Sequence, residues 1–377
     1  MPAFIRCVAA LLLSPQLLLI ALLLLICGAA GHAEAPAERL AVLQRGINVT
    51  NWFRYPADRD PRALRGYLDD AAMAQLRRAG FDFVRLPVQP AMLDAAGVVD
   101  LLIGAIRRLE RHGLAVIVAL HPPDWHLESD PDDQVSLAAF WHVLAPRLRQ
   151  LDPAVTFPEL LNEPVFADAP GEWARLQHQL LRQVRSALPD STVVLTGADW
   201  GSARGLLTLA AETDPNVIYS FHLYEPAELT ALGAYRTGLD SAAMARLPFP
   251  VTDRGACEDT AATTGDAPTA ALIRFYCSQG WDAAKLAATV GAVGNWARSN
   301  RVSVLAGEFG ASQRLNPAAR FAWIAAVRQA CERQGIGWAL WGYDDSMGFA
   351  IRPPAGLRQL DPGMRGALGL DGIMSRQ

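Results

Sequence analysis

Runs of basic residues are missing from this chain of 377 residues: 34 lysines and arginines are scattered among 38 aspartates and glutamates, for a formal charge of −4. Binding to a phosphate backbone needs a clustered positive face, so nucleic acid is not an expected partner. Neither CxxC nor HExxH occurs, so the usual sequence signs of a metal centre are absent and no metal or organic cofactor is expected. No internal repeat or low-complexity segment breaks the chain. Cysteine is scarce, with five residues. Cys7 and Cys27 sit in the N-terminal segment, Cys331 stands apart, and Cys257 and Cys277 lie close together.

The N-terminus places one arginine, Arg6, before a long apolar run that closes on Gly31-His32-Ala33. This is the layout of a secretory signal peptide, residues 1–33, cut after Ala33. The alternative is a retained membrane anchor, because the apolar run is long for a signal. Leu24-Leu25-Ile26-Cys27 fits a lipoprotein signal poorly, since isoleucine precedes the cysteine. Either way the bulk of the protein lies outside the cytoplasm, secreted or periplasmic, with no lasting membrane association unless the signal stays. An oxidising location permits a disulfide, and Cys257–Cys277 is the natural pair. Residues 34–377 remain, 377 − 33 = 344 of them, and losing Arg6 takes the charge to −5. That length suits a single, monomeric α/β barrel with insertions.

Short β-rich apolar runs alternate with longer helix-like stretches. The strand candidates are GINVT (46–50), FVRLPV (83–88), AVIVALH (115–121), VTFPELLNEP (155–164), TVVLTGADW (192–200), VIYSFHLYEP (217–226), VSVLAGEFG (302–310) and GWALWGY (337–343). Between them, YLDDAAMAQLRRAG puts Leu68, Ala72, Leu76 and Ala79 on one helical face and stops at Gly80. LLIGAIRRLERHG and FAWIAAVRQACERQG behave likewise. Eight strands alternating with helices predict a parallel sheet closed into a (β/α)₈ TIM barrel. An open doubly wound sheet is the runner-up, but no glycine-rich nucleotide loop follows the first strand. Residues 227–282 break the rhythm after the sixth strand. They carry both candidate disulfide cysteines and DTAATTGDAPTA, and read as a long insertion, a mobile lid restrained by the disulfide.

In a barrel, reactive groups sit where strands end. Arg85 lies within the second strand candidate, His121 closes the third, Asn162 and Glu163 the fourth, and Trp200 the fifth. His222 and Tyr224 lie near the end of the sixth, Glu308 near that of the seventh, and Trp341 near that of the eighth. A lone strand-end histidine is ordinarily structural; polar or aromatic groups at seven strand ends are not. Glu163 and Glu308 would face each other across the mouth. Two carboxylates over a cleft can cut a glycosidic bond: one protonates the leaving oxygen, and the other attacks the anomeric carbon or activates water. Arg85 would keep one of them ionised. A buried Glu–Arg network would be the favoured reading had only one glutamate been present.

RGINVTNWF, FDFVRLPV, VIVALH, ELLNEP, YSFHLYEP, LAGEFG and GWALWGY, in this order from about Gln44 to about Phe349, together resemble glycoside hydrolase family 5, the cellulase family of retaining (β/α)₈ glycosidases. LNEP and GEFG are specific; RGIN alone is weak. The resemblance implies that Glu163 is the acid/base, Glu308 the nucleophile and Asn162 the partner of the sugar 2-hydroxyl. It implies that Arg85 and Tyr224 support the nucleophile and that His121 and His222 are the site's histidines. Trp341 would lie under the sugar at the cleavage point, with Trp338 as a rival. A retaining enzyme should hold its carboxyl groups roughly 5–5.5 Å apart.

Other expectations concern residues around this set. Glu159 shares the strand parity of Glu163 and should be a deeper structural partner, of Arg45 for example. Trp52, Trp125, Trp200 and Trp281 are candidate sugar platforms, each equally readable as core. Asp124, Trp125 and His126 belong to the cleft or merely to a loop. Asn48-Val49-Thr50 matches a glycosylation sequon but falls in a strand candidate. The expected activity is endo-β-1,4-glucanase action on a β-linked polysaccharide. β-Mannanase, β-1,3-glucanase and exopolysaccharide processing are alternatives, as is a non-catalytic carbohydrate-binding barrel. With no carbohydrate-binding module or linker after the barrel, soluble or nascent glucan is expected rather than crystalline cellulose.

Overall fold

The computed structural model describes residues 35–345, 348–351 and 361–371; the expected signal peptide, residues 1–33, with Arg6, Cys7 and Cys27, lies outside them. Eight parallel strands close into a barrel in sequence order: β1 (Arg45–Asn48), β2 (Phe83–Val88), β3 (Ala115–Leu120), β4 (Thr156–Glu159), β5 (Val193–Thr196), β6 (Val217–Leu223), β7 (Ser303–Phe309) and β8 (Gly337–Leu340). This is the (β/α)₈ architecture, and the open sheet is set aside. Among the described residues no helix is long and apolar enough to cross a membrane.

The helices begin and end where local chemistry directs. In α1 (Asp70–Ala79), the Asp69 carboxylate accepts from Ala72 N, and Gly80 closes the helix at φ 103°. It buries the expected Ala72 and Leu76, with Met73 beside them, while Ala79 is only partly buried. α2 (Val98–Arg111) and α3 (Pro317–Arg333) likewise run out just before Gly113 (φ 71°) and Gly335 (φ 69°). These helices bury apolar faces against the outside of the barrel in one continuous layer.

Strand parity divides the inside from the outside. Phe83, Ile117, Phe157, Val194, Ile218, Leu305 and Ala339 fill the barrel interior, and Leu43 with Ala35 closes its lower end. The polar side chains stand above this plug, toward the strand C-termini. Several expected strands prove shorter than their sequence patterns. β4 stops at Glu159 and β5 at Thr196, so Asn162, Glu163 and Trp200 are carried by the loops that follow. Prolines and glycines in NEPVF and TGADWG turn the chain before ladder pairing can continue.

The stretch 227–282 is largely helical, with segments Ala227–Thr230, Ser241–Met244, Arg254–Asp259 and Ala267–Gln279. It buries Met244, Leu247, Leu272, Ile273 and Tyr276. Cys257 is bonded to Cys277, with Cα atoms 5.7 Å apart and a sequence separation of 20. Among the described residues Cys331 is a free, buried thiol. Replacing both bonded cysteines by serine is expected to cost about 3 kcal/mol, the loop-closure value for this separation. Urea unfolding measures it, and an unchanged midpoint would mean that the packed helices alone restrain the segment.

Candidate active site

The site is built around one cation. Arg85 points inward from β2 and is fully buried. Its Nε and one Nη2 hydrogen donate to Glu159 at 2.7 and 2.6 Å. Nη2 also donates to Asn162 Oδ1 at 2.8 Å, and Nη1 donates to Asn48 Oδ1 at 3.0 Å and to Glu308 Oε1. All five N–H donors of the guanidinium are thereby used. Burial pulls its proton affinity down, yet the Glu159 and Glu308 carboxylates raise it above the ordinary value, so Arg85 remains charged. Asn48 extends the network from β1: its amide donates to Gly307 O and Leu340 O. Fully buried and committed in this way, Asn48 is no glycosylation acceptor in the folded chain.

Two expectations about this core need correction. Glu159 does point inward, but its partner is Arg85; Arg45 pairs with Asp82 at 2.9 Å. The reason is parity. Gly46 and Asn48 share the inward face of β1 with their partners Phe83 and Arg85, so Arg45 faces away. Trp338 is likewise on the outer side, against Phe309, and its rivalry with Trp341 for the site ends there.

Glu308 reaches the mouth through a register change. Phe221 pairs with Ala306, but the next residue, His222, pairs with Glu308. Gly307 is the extra residue of a bulge. Without it, Glu308 would share the outward side of Ala306. A side chain at Gly307 would meet Ser220 Oγ at 2.2 Å, so the serine would have to turn aside to admit one. Tyr224 donates to Glu308 Oε2 at 2.8 Å. Burial, then Glu308 and Glu163, raise the Tyr224 phenol well above its usual range, so it stays a donor.

Glu163 hangs over the same space from the loop after β4. His222 Nδ1 lies 2.9 Å from Glu163 Oε1 and 3.6 Å from Glu308 Oε2. One oxygen of each glutamate and one ring nitrogen of His222 all lie within 4.8 Å of one another. The two carboxylates differ in environment: the Glu163 side chain is 33 % exposed and that of Glu308 only 4 %. Burial lowers the proton affinity of His222, but Glu308 and Glu163 together outweigh it, and the net direction is up. His121, 4.0 Å from Glu308, goes the other way. Burial first, then Arg54 and Arg85, hold its imidazole well below the ordinary range, so it is neutral.

The tryptophans divide. Trp341 lies beside the site, its ring stacked on His121 at 6.0 Å, with the Arg54 guanidinium 5.3 Å over it. Trp200 is 53 % exposed and lines a groove of about 400 Å³ with Glu163, Ser202, His222 and Tyr224. Its φ of 56° and that of Asp199, 58°, are left-handed, a conformation costing roughly 1–3 kcal/mol per residue. Backbone bonds to Pro164 O and Val165 O hold the two in place. Gly205 lets the turn close, because a Cβ there would fall 1.8 Å from Ala198 O. Trp52 is not a platform: it is fully buried, stacked between Phe53 and Tyr67, and donates to Leu64 O. Trp125 and Trp281 are partly buried against the outer apolar layer. Asp124 and His126 are exposed in the loop after β3.

Sequence reading missed Arg54 and the network role of Asn48. Inward parity with Arg85 could have flagged Asn48, had the register of β1 on β2 been known. Nothing in the sequence marks Arg54, since its role depends on a loop folding back over β8.

Two outcomes are expected. Glu159→Gln leaves the buried Arg85 without its bidentate charge partner and should cost about 3 kcal/mol, measured by urea unfolding; a change under about 0.5 kcal/mol would mean that Glu308 suffices alone. Folding raises the His222 proton affinity, so its contribution is full below the reference value of 6.5 and is lost as pH climbs through the higher folded-state value. The stability gap between wild type and His222→Gln should therefore be wider near pH 5.5 than near pH 9. A gap independent of pH would mean that the folded state puts no extra proton on His222.

The family model described as Cellulase (glycosyl hydrolase family 5) matches residues 43–346. Endoglucanase 3 of Fibrobacter succinogenes is 25% identical over 337 residues, covering 81% of this chain and 50% of that protein. This chain thus spans about half the length of that relative. Endoglucanase C of Acetivibrio thermocellus is 23% identical over 323 residues, covering 81% of this chain and 92% of its own. The crystal structure of endoglucanase Cel5A from Thermotoga maritima superposes with a TM-score of 0.71 at 24% identity, covering 89% of this chain and 99% of that one. The barrel, its ordered motifs and the matched span agree: the chain belongs to the cellulase family, glycosyl hydrolase family 5.

Proposed function

We propose that this protein is an exported, retaining endo-β-1,4-glucanase that cuts a β-linked glucan by double displacement. The observation that carries the reading is that one carboxylate oxygen of Glu163 and one of Glu308 lie within 4.8 Å of each other, in unlike surroundings. Retaining glycosidases hold their carboxyl groups at roughly 5–5.5 Å, whereas inverting ones need roughly 6.5–9.5 Å to admit a water. The relatives named endoglucanases support the substrate class.

The roles follow from environment. Glu308 is buried and held by Arg85 and Tyr224, so its attacking oxygen is fixed in direction beside a permanent cation. It attacks the anomeric carbon and forms the glycosyl-enzyme. Glu163 is the more exposed carboxyl, as the second half-reaction requires. It gives its proton to the leaving oxygen, then takes one from the incoming water. His222, between the two, orients Glu163 and responds to its charge. Asn162 offers its Oδ1 to Arg85, which leaves the amide nitrogen to donate to the sugar 2-hydroxyl. Trp200, exposed beside Glu163, suits the leaving-group side of the cleft.

Glu163→Gln and Glu308→Gln should each lower turnover of carboxymethyl-cellulose by at least about 10²-fold. Proton NMR of fresh wild-type product should show the β-anomer first. Unchanged reducing-sugar release in either variant would remove that residue from the chemistry. A wild-type protein that binds cello-oligosaccharides without cutting them would be the carbohydrate-binding barrel instead.

A further inference from the structure

Arg54 stands in the loop between β1 and α1, half-buried, with its guanidinium carbon 4.6 Å over the Tyr55 ring and 5.3 Å over the Trp341 ring. Its Nε is buried without a hydrogen-bond partner, and among the described residues no carboxylate pairs with it. The contrast with Arg85, whose five donors are all used, is complete. A partly desolvated cation with an unused donor is costly unless something offers it an acceptor. Two aromatic faces offset that cost only in part.

Its position matters more than its cost. Trp341 is 3 % exposed, stacked on His121, and the Arg54 guanidinium lies over it. A glycosyl unit that packs on Trp341 must therefore meet Arg54 directly. A neutral sugar offers the displaced guanidinium only hydroxyls. A carboxylate offers it two oxygens in the planar, forked geometry that arginine matches and lysine does not. The glutamates at the mouth are engaged with other partners. Glu308 and Glu159 are both bound to Arg85, and the more exposed Glu163 faces His222, on β6.

We propose that Arg54 is a specificity-determining residue that reads the glycosyl unit at Trp341 and favours one bearing a carboxylate, so that the preferred glucan is acidic rather than neutral. This rests on the glycosidase reading above but concerns which glucan is chosen. The carboxylate could belong to an oxidised C6 of the sugar or to an acyl substituent such as succinyl, and the two are separable by experiment.

Calorimetric binding in the Glu163→Gln background tests it without turnover. The ligands are cellotetraose, C6-oxidised cellotetraose and O-succinylated cellotetraose. At least one acidic ligand should bind roughly tenfold or more tightly than cellotetraose, and whichever does so names the source of the charge. Adding Arg54→Gln should bring that ratio close to one, while Arg54→Lys should retain part of it. Equal affinity for acidic and neutral ligands, or a preference that survives Arg54→Gln, overturns the proposal while leaving the glucanase reading intact. Failure to bind any of the three ligands overturns both.

Discussion

The site depends on satisfying one buried guanidinium. Arg85 is wholly removed from water, and a buried charge is tolerated only when it is paired and every donor is used. Its partners come from β1 (Asn48), β4 (Glu159), the loop after β4 (Asn162) and β7 (Glu308). Meeting this one requirement therefore fixes four separate parts of the barrel relative to each other. The same bonds that make burial tolerable also fix the direction of the Glu308 carboxylate and of the Asn162 amide. Burial of the cation and orientation of the carboxylates at the mouth are here one network, which rests on the apolar plug of Phe83, Ile117, Phe157 and Val194 beneath it.

Around that fixed cation the protein places groups of unequal freedom. Glu308 is sealed in and bonded on both oxygens. Glu163 lies on a loop and touches solvent. His222 binds a proton more readily than usual, and His121 less, although both rings are buried and both approach Glu308. The difference is the company each keeps: two carboxylates around His222, and two arginines bearing on His121. An exposed tryptophan in a left-handed turn borders one side of the mouth, and an arginine with no carboxylate partner among the described residues, lying over a covered tryptophan, borders the other. The cleft is thus electrostatically lopsided.

Much of this was legible before any coordinates. The alternation of apolar runs with helical stretches encodes the barrel because each strand is buried on both faces and each helix on one. The helix ends at Gly80, Gly113 and Gly335 were readable because a left-handed residue is nearly glycine's own. Glu163 and Glu308 stood out because carboxylates at the ends of apolar runs need a reason. The errors share a cause. Glu159 was correctly turned inward, but its partner could not be chosen, because Arg45 and Arg85 differ by strand and parity rather than by anything local. Trp52 and Trp200 look alike as isolated indoles; one is sealed between Phe53 and Tyr67 and the other is exposed.

The sequence by itself determined the fold class, the order of strands and helices, and the identity of the two central glutamates, because these follow from periodicity and from residue chemistry within short windows. Only the tertiary structure decided which cation each carboxylate meets, that a bulge at Gly307 turns Glu308 inward, and that Arg54 lies over Trp341. Those outcomes depend on how neighbouring strands slide against each other and how loops fold back across the mouth. Interactions between residues hundreds of positions apart set both, and no short window of sequence contains them.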